Sequence, residues 1–202
     1  MTPLPKIDGL IDYPFSNEKS YLMDIWLIEN CDFYIGHNSG PIDVAYLFQK
    51  PVLIPNVTEF VMGNPRGFGD LCILKHVFSR KENRYLSVKE LVELYLMNDT
   101  KPYHNPDLSF IENTPDELVN LVHEFVTVKL QSKETTKISD LQRTVLHRRF
   151  DLTKSVVWEP TLSEHNRSRF ICRLLGYSGL IANCYLEKNY VCDSMNQSQL
   201  IN

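Results

Sequence analysis

The segment His37-Asn38-Ser39-Gly40-Pro41 has the clearest chemical potential in this sequence. Its small and polar residues separate the apolar run Phe33–Ile35 from a second apolar stretch that begins at Ile42. We therefore expect a strand to end and a helix to begin here. A helix start at the carboxyl end of a parallel strand presents backbone N–H groups and a partial positive charge, which suit a phosphate or diphosphate. The alternative is a good helix start that binds nothing.

A second candidate for phosphate binding is an arginine in a later loop. Thr58–Asp70 is rich in glycine, contains Pro65 and has no clear period, which predicts a long loop. We expect this loop to leave the carboxyl end of a strand and to border the same crevice. Arg66 could bind a phosphate there through its planar guanidinium group, and the alternative is a solvated loop arginine.

The elements that must position these residues form a βαβ unit. Pro41 suits the first helical position, and Ser39 or Asn38 can cap the helix predicted over Ile42–Phe48. Pro51–Pro55 is a short run of β-branched and other apolar residues, typical of a parallel strand buried on both faces.

Further elements are predicted from apolar periodicity and capping residues. Helices are expected over Tyr21–Asn30, Val88–Asn98 and Leu118–Leu130, and strands over Leu71–Phe78 and Leu108–Ile111. The first helix is apolar around much of its circumference, so we expect it to be largely buried. The strand that Lys75 interrupts is expected inside the sheet or at its edge. Thr114 and Glu117 have the spacing of a capping box.

The run from Asp32 to Asn56 resembles the donor-binding half of GT-B glycosyltransferases, where a Ser-Gly-Pro turn precedes a helix and a Lys-Pro-Val strand. It is most similar to a bacterial glycosyltransferase family linked with surface polysaccharides, with the pattern D-x-x-I-G-x-x-S-G-P…F-x-K-P-V-L…N. The matching residues are Asp32, Ile35, Gly36, Ser39, Gly40, Pro41, Phe48, Lys50, Pro51, Val52, Leu53 and Asn56. The segments YLMD at 21–24 and IENTPDE at 111–117 also resemble family blocks, so the resemblance covers roughly residues 13–132.

This resemblance implies that the turn binds a nucleotide-sugar donor and that the sugar passes to a surface glycan, a lipid-linked acceptor or a similar acceptor. It implies that Lys75 contacts the donor diphosphate, against the alternative of a solvated strand charge. It also implies that Glu112, ahead of Asn113, binds the ribose hydroxyls, because a carboxylate can accept two hydrogen bonds from a diol. His37 is a candidate contact for donor phosphate or acceptor hydroxyl, and the alternative is a surface-turn histidine.

The same chemistry predicts no metal ion and no cofactor, because amides and cations would stabilise the departing diphosphate. The six histidines lack metal-ligand spacing, and the five scattered cysteines indicate buried free thiols. No catalytic residue is identified, since Ser39 does not lie in a G-x-S-x-G motif. We expect the general base to come from an acceptor-side domain.

Charge and hydropathy argue against a nucleic-acid-binding protein and against a membrane-spanning one. The 202 residues carry 21 Lys and Arg against 25 Asp and Glu, a formal charge of −4, which argues against nucleic-acid binding. Neither a signal segment nor a membrane-length apolar run is recognised in the sequence. We therefore expect no membrane span and a cytoplasmic location, with the inner membrane face as a peripheral alternative.

The expected fold class is α/β, a Rossmann-like parallel sheet flanked by helices, as in the C-terminal domain of a GT-B fold. We expect an extended lead-in over 1–17, a nucleotide-sugar-binding domain over 18–132, a helical extension over 133–192 and a disordered tail over 193–202. Since a GT-B enzyme has two such domains, activity is expected to need a separate N-terminal domain in the parent chain or in trans. The alternatives are a non-catalytic nucleotide-sugar-binding or interaction module and a sugar-nucleotide epimerase fragment.

Overall fold

Two β-sheets and the helices around them make up the described part of the chain. The computed structural model describes residues 2–37, 39–58, 65–67, 69–93, 105–127, 140–147 and 179–190. The helices are α1 (Tyr21–Asn30), α2 (Gly40–Leu47), α3 (Val88–Glu93), α4 (Pro115–Phe125), α5 (140–147) and α6 (Asn183–Asn189). The strands are β1 (Tyr34–Ile35), β2 (Val52–Val57), β3 (Leu71–Leu74), β4 (His76–Ser79), β5 (Arg84–Tyr85), β6 (Leu108–Ile111) and β7 (Leu180–Ile181).

The predicted βαβ unit is present and starts a parallel sheet. Among the described residues this sheet has four strands in the order β1-β2-β3-β7, and α2 connects β1 to β2. β2 is buried along almost its whole length, as its apolar run predicts. Helix α2 begins at Gly40, so Pro41 is its second residue instead of its first. Both positions suit proline, because the N–H groups of the first turn have no partner within the helix.

The single strand predicted over Leu71–Phe78 is wrong, because this segment forms two strands in two different sheets. β3 is buried between β2 and β7 in the parallel sheet, so it is not an edge strand. β4 pairs antiparallel with β5 and β6 in a second sheet. Lys75 is the single residue between β3 and β4, and its N–H donates to the carbonyl oxygen of Val57 at 3.0 Å.

β7 comes from the region that the sequence assigns to a helical extension. Leu180 and Ile181 align with Leu71 and Cys72 of β3, so this late segment completes the described parallel sheet. Helix α6 follows at once and packs against α4. The expected α/β class with a helix-flanked parallel sheet is therefore confirmed.

α1 has its predicted bounds but lacks its predicted burial. The Ser20 hydroxyl caps it by accepting the N–H of Met23 at 3.1 Å. None of its ten residues is buried. Ile28 packs against the core and the helix contacts α2, so one side is attached and the other faces solvent.

A reciprocal pair of asparagines joins β2 to the junction between β6 and α4. The N–H of Asn56 donates to Asn113 Oδ1, and the N–H of Asn113 donates to Asn56 Oδ1, both at 2.7 Å. Asn113 Nδ2 donates to the carbonyl oxygen of Leu74 at 2.7 Å. Asn56 has a left-handed backbone with φ of 56°, where the register of β2 and β3 shifts. Because Asn113 is buried, it supplies partners that water cannot easily replace.

We expect Asn113→Ala to lower the free energy of unfolding by about 2–4 kcal/mol, because it leaves the Asn56 N–H and the Leu74 carbonyl unpaired. Urea denaturation measures this change. Asn17→Ala, at an exposed position, is the matched control and should shift stability by less than about 0.5 kcal/mol. Equal effects of the two substitutions would contradict the role given to Asn113.

Glu90 holds the start of α3 and pairs with Arg84. The N–H and hydroxyl of Ser87 both donate to Glu90 Oε2 at 2.8 Å, and Arg84 Nη1 donates to the same oxygen at 3.0 Å. The Arg84 hydrogen bonds, with smaller help from Ser87 and against the effect of burial, lower the pKa of Glu90 to about 2.

This shift makes stability depend on pH in the acid range. Between the ordinary pKa of 4.5 and the folded-state pKa of about 2, the unfolded chain binds more protons, so stability falls as pH falls. Glu90→Gln should lower stability at pH 7 and flatten this part of the profile in urea titrations. Glu187→Gln, at an exposed position on α6, should keep the wild-type profile. A wild-type profile for Glu90→Gln would show that the pairing with Arg84 does not shift the pKa.

Candidate functional site

The carboxyl edge of the parallel sheet collects residues from three distant parts of the sequence. β1 ends where the N–H of Gly36 donates to the carbonyl oxygen of Leu53 at 3.1 Å, and α2 starts four residues later at Gly40. Lys75 follows the last residue of β3, and Glu112 follows the last residue of β6. Since β2 alone separates β1 from β3, those two strands lie about 10 Å apart across the sheet.

The start of α2 is open to solvent. His37, Ser39, Gly40 and Pro41 are exposed. Among the described residues, apart from its chain neighbours and the α2 backbone, a Cβ atom on Gly40 would meet no atom within 4 Å. The Ser39 hydroxyl does not cap the helix as expected; it donates to the carbonyl oxygen of His37 at 3.4 Å. Asn38, the other predicted cap, lies outside the described residues. An uncovered helix start with space above Gly40 allows an anion to approach the backbone closely.

Lys75 and Glu112, which are 37 residues apart, meet at this edge. The Lys75 Nζ atom lies 3.4 Å from Glu112 Oε1, with 19% of the Lys75 side chain and 69% of the Glu112 side chain exposed. An ion pair of this length with one exposed partner is weak. A phosphate could therefore bind the ammonium group, and a hydroxyl pair could bind the carboxylate, at little cost to the fold.

Asn113 is next to Glu112 but its side chain turns into the protein. Both ends of its amide group bond to protein atoms, at Asn56 and Leu74. The two neighbouring residues therefore have different surroundings. The Glu112 carboxylate faces solvent, and the Asn113 side chain holds the backbone between β6 and α4 in place.

Arg66 lies beside α2. Its Nη1 atom is 2.8 Å from Asp43 Oδ1, and the guanidinium carbon is 4.9 Å from the centre of the Tyr46 ring. The backbone N–H of Arg66 donates to the Tyr46 hydroxyl at 3.2 Å. Burial, followed by the nearby Asp70 carboxylate, raises the pKa of Tyr46, so its hydroxyl stays protonated.

Asp70 is a buried carboxylate that the sequence analysis missed. Its two oxygens accept the N–H of Val52 at 2.9 Å and the N–H of Gly67 at 2.7 Å. Val52 begins β2, so the end of this loop lies at the amino side of the sheet. Residues 59–64, where the loop leaves β2, lie outside the described residues, so the expectation that the loop borders the carboxyl crevice stays a prediction. An Asp three residues after a glycine and directly before a strand is a turn signal that could have indicated the role of Asp70.

His76 is a second buried polar residue that the sequence analysis missed. Its Nε2 atom lies 3.0 Å from both carboxylate oxygens of Glu117. The predicted capping box is confirmed, because the same carboxylate accepts the N–H of Thr114 at 2.8 Å and Thr114 Oγ1 accepts the N–H of Glu117. Burial raises the pKa of Glu117, but the bonds from His76 and Thr114 outweigh it and the net shift is downward.

A small cleft between α4 and α6 is too small for a nucleotide. Its cavity volume is about 10 Å³, room for about one water molecule and far below the roughly 300–1,000 Å³ of typical ligand sites. Cys184 lines it, and burial together with the Glu124 carboxylate raises the pKa of this thiol to about 12. The thiol is thus protonated near neutral pH and a poor nucleophile.

No family model, curated protein or solved structure matches this chain. Within the described ranges, no group of three or more His, Cys, Asp or Glu side chains is placed to hold a metal ion. Among the same residues, no helix combines the length and the apolar character that crossing a membrane requires.

We expect Glu112→Gln to change the free energy of unfolding by less than about 1 kcal/mol, because the lost ion pair is long and exposed. Urea denaturation of Glu112→Gln and Asn113→Ala in parallel compares the changes in the free energy of unfolding at these two neighbouring positions. A loss as large as that of Asn113→Ala would mean that Glu112 is structural and would remove it from the candidate site.

Proposed function

We propose that this chain binds a nucleotide-sugar donor at the carboxyl edge of its parallel sheet, as the donor-binding unit of a GT-B-like glycosyltransferase. The observation that carries the proposal is the meeting of Lys75 and Glu112 at the same sheet edge as the open start of α2. A cation, a carboxylate and a helix N-terminus there offer partners for the diphosphate and the sugar hydroxyls of one ligand.

Each part of the proposed site has a separate task. The amides at the start of α2, near Ser39 and Gly40, and the Lys75 ammonium group would bind the diphosphate. The Glu112 carboxylate would accept hydrogen bonds from the ribose hydroxyls. His37 lies at the mouth of the same turn, where it would reach a donor phosphate or an acceptor hydroxyl.

In the proposed reaction an acceptor hydroxyl attacks the anomeric carbon of the donor. A new carbon–oxygen bond forms, the bond from that carbon to the diphosphate breaks, and the diphosphate leaves with its electron pair. The α2 amides and Lys75 would stabilise the charge that develops on it. The general base that takes the acceptor proton would belong to an acceptor-side domain, and the acceptor would be a surface glycan or a lipid-linked precursor.

A non-catalytic nucleotide-sugar-binding module is the second candidate. It is favoured by the surroundings of Glu117, whose carboxylate is bonded to His76 and Thr114. Against the effect of burial, the bonds from His76 and Thr114 lower the pKa of Glu117, so this carboxylate is a weaker base and this side of a catalytic site would contribute binding alone.

We expect calorimetry with UDP-, GDP- and ADP-sugars to show binding of at least one donor to the full chain. Failure of all three would refute the donor site. Transfer assays on the chain alone, with water or simple glycans as acceptors, are expected to show no turnover. Turnover without another protein would overturn the assignment of the base to a separate domain.

Substitutions separate the site from the rest of the surface. Lys75→Met should weaken donor binding by about tenfold or more, the effect of losing a charge-assisted hydrogen bond. Ser39→Trp should abolish binding because the indole would cover the α2 amides. Lys89→Met is the matched control, at an exposed lysine on α3, and should leave affinity unchanged. Equal affinities of Lys75→Met and Lys89→Met would exclude Lys75 from the site.

A further inference from the structure

One face of α1 is apolar and faces solvent. Tyr21, Leu22, Ile25 and Trp26 are 92, 77, 44 and 52% exposed. At 3.6 residues per turn these four side chains fall within about 140° of the helix circumference. They form a continuous stripe, called here the α1 stripe, whose centre lies about 90° around the helix from Ile28, the residue that packs against the core.

The segment before α1 extends this surface. Five apolar side chains between residues 4 and 15 are 45–82% exposed, namely Leu4, Ile7, Leu10, Ile11 and Phe15. The Tyr13 hydroxyl accepts the N–H of Ser20 at 3.0 Å and donates to its carbonyl oxygen at 3.1 Å. This double contact fastens the segment to the start of α1, so both belong to one surface.

The exposed area matches what a stable dimer buries. With roughly 200 Å² for a complete large side chain, the nine residues expose about 1,000 Å². The largest apolar patch on a typical monomer is about 300–600 Å², whereas a specific interface buries about 800 Å² of each partner. A helix with apolar residues on this much of its surface is normally buried.

We propose that the α1 stripe and the preceding segment form a symmetric interface between two copies of this chain. Antiparallel packing of two α1 helices about a twofold axis buries the stripe of each copy against the other. It also brings the exposed Lys19, just before α1, near the exposed Glu29 at the end of the partner's α1. This contact occurs twice, so the charges at the two ends of the stripe are complementary in this orientation. The proposal does not rest on donor binding, and either can fail without the other.

Light scattering and sedimentation equilibrium on the full chain test the interface. We expect a species of twice the 23.5 kDa chain mass. Leu22→Asp and Trp26→Asp should each weaken association at least 100-fold while circular dichroism stays unchanged. Val119→Asp is the matched control, since Val119 is an apolar residue on α4 with 65% exposure, and it should remain dimeric.

A charge exchange tests the orientation. Lys19→Glu and Glu29→Lys should each weaken self-association by placing like charges together, and an equimolar mixture of the two variants should form heterodimers. A chain that is monomeric at all concentrations overturns the proposal, and so does a monomer in which Trp26 fluorescence shows that the chain itself covers the stripe. A dimer that persists in both Leu22→Asp and Trp26→Asp also overturns the proposal. If the mixture of Lys19→Glu and Glu29→Lys stays monomeric, the antiparallel arrangement is wrong.

Discussion

The candidate site depends on how the chain satisfies its polar backbone groups where the two sheets meet. At Lys75 the backbone passes from the parallel to the antiparallel sheet within one residue, while β2 and β3 shift register beside it. The Asn56 N–H and the Leu74 carbonyl oxygen both find a partner in the side chain of Asn113. Buried groups of this kind cost about 1–3 kcal/mol when unpaired, so the asparagine fixes the junction. As a result, Glu112 is held where its carboxylate meets Lys75.

The short connection between the sheets places two neighbouring side chains in different environments. The Lys75 ammonium group lies beside the exposed Glu112 carboxylate, whereas the His76 ring is buried against Glu117. Successive residues of an extended chain point to opposite sides, so one position serves the edge and the next serves the core. Glu117 ties this arrangement to α4, because it also completes the capping box with Thr114. The junction therefore fixes the positions of β4, β6 and α4 relative to one another. It also fixes Lys75 and Glu112, the two side chains of the proposed donor site that lie there.

Local patterns predicted the parts of the fold that local interactions determine. The βαβ unit, the capping box and the bounds of α1 follow from turn residues, caps and apolar runs. The division of Leu71–Ser79 into two sheets was not predictable in this way, because the apolar residues continue across Lys75 and the partners are distant in sequence. β7 has two residues and no period, and Asp70 acquires its role through Val52. For the candidate site, the contact between Lys75 and Glu112 follows from the strand order, which local patterns do not predict. The burial of α1 was predicted wrongly because burial depends on which surfaces pack against the helix, and the sequence of the helix does not encode those surfaces.

The two glycines of the βα turn, Gly36 and Gly40, have different surroundings. A Cβ atom on Gly36 would lie 2.6 Å from Cε1 of the Tyr34 ring, so close packing against this side chain favours glycine there. Gly40 has an ordinary negative φ and open space around it, so the fold does not require glycine at this position. Glycine also costs about 1 kcal/mol relative to alanine within a helix, although less in the first turn. A glycine at this position leaves the backbone accessible from solvent. This contrast supports the start of α2 as the diphosphate end of the proposed site, because there a missing side chain leaves the amides accessible.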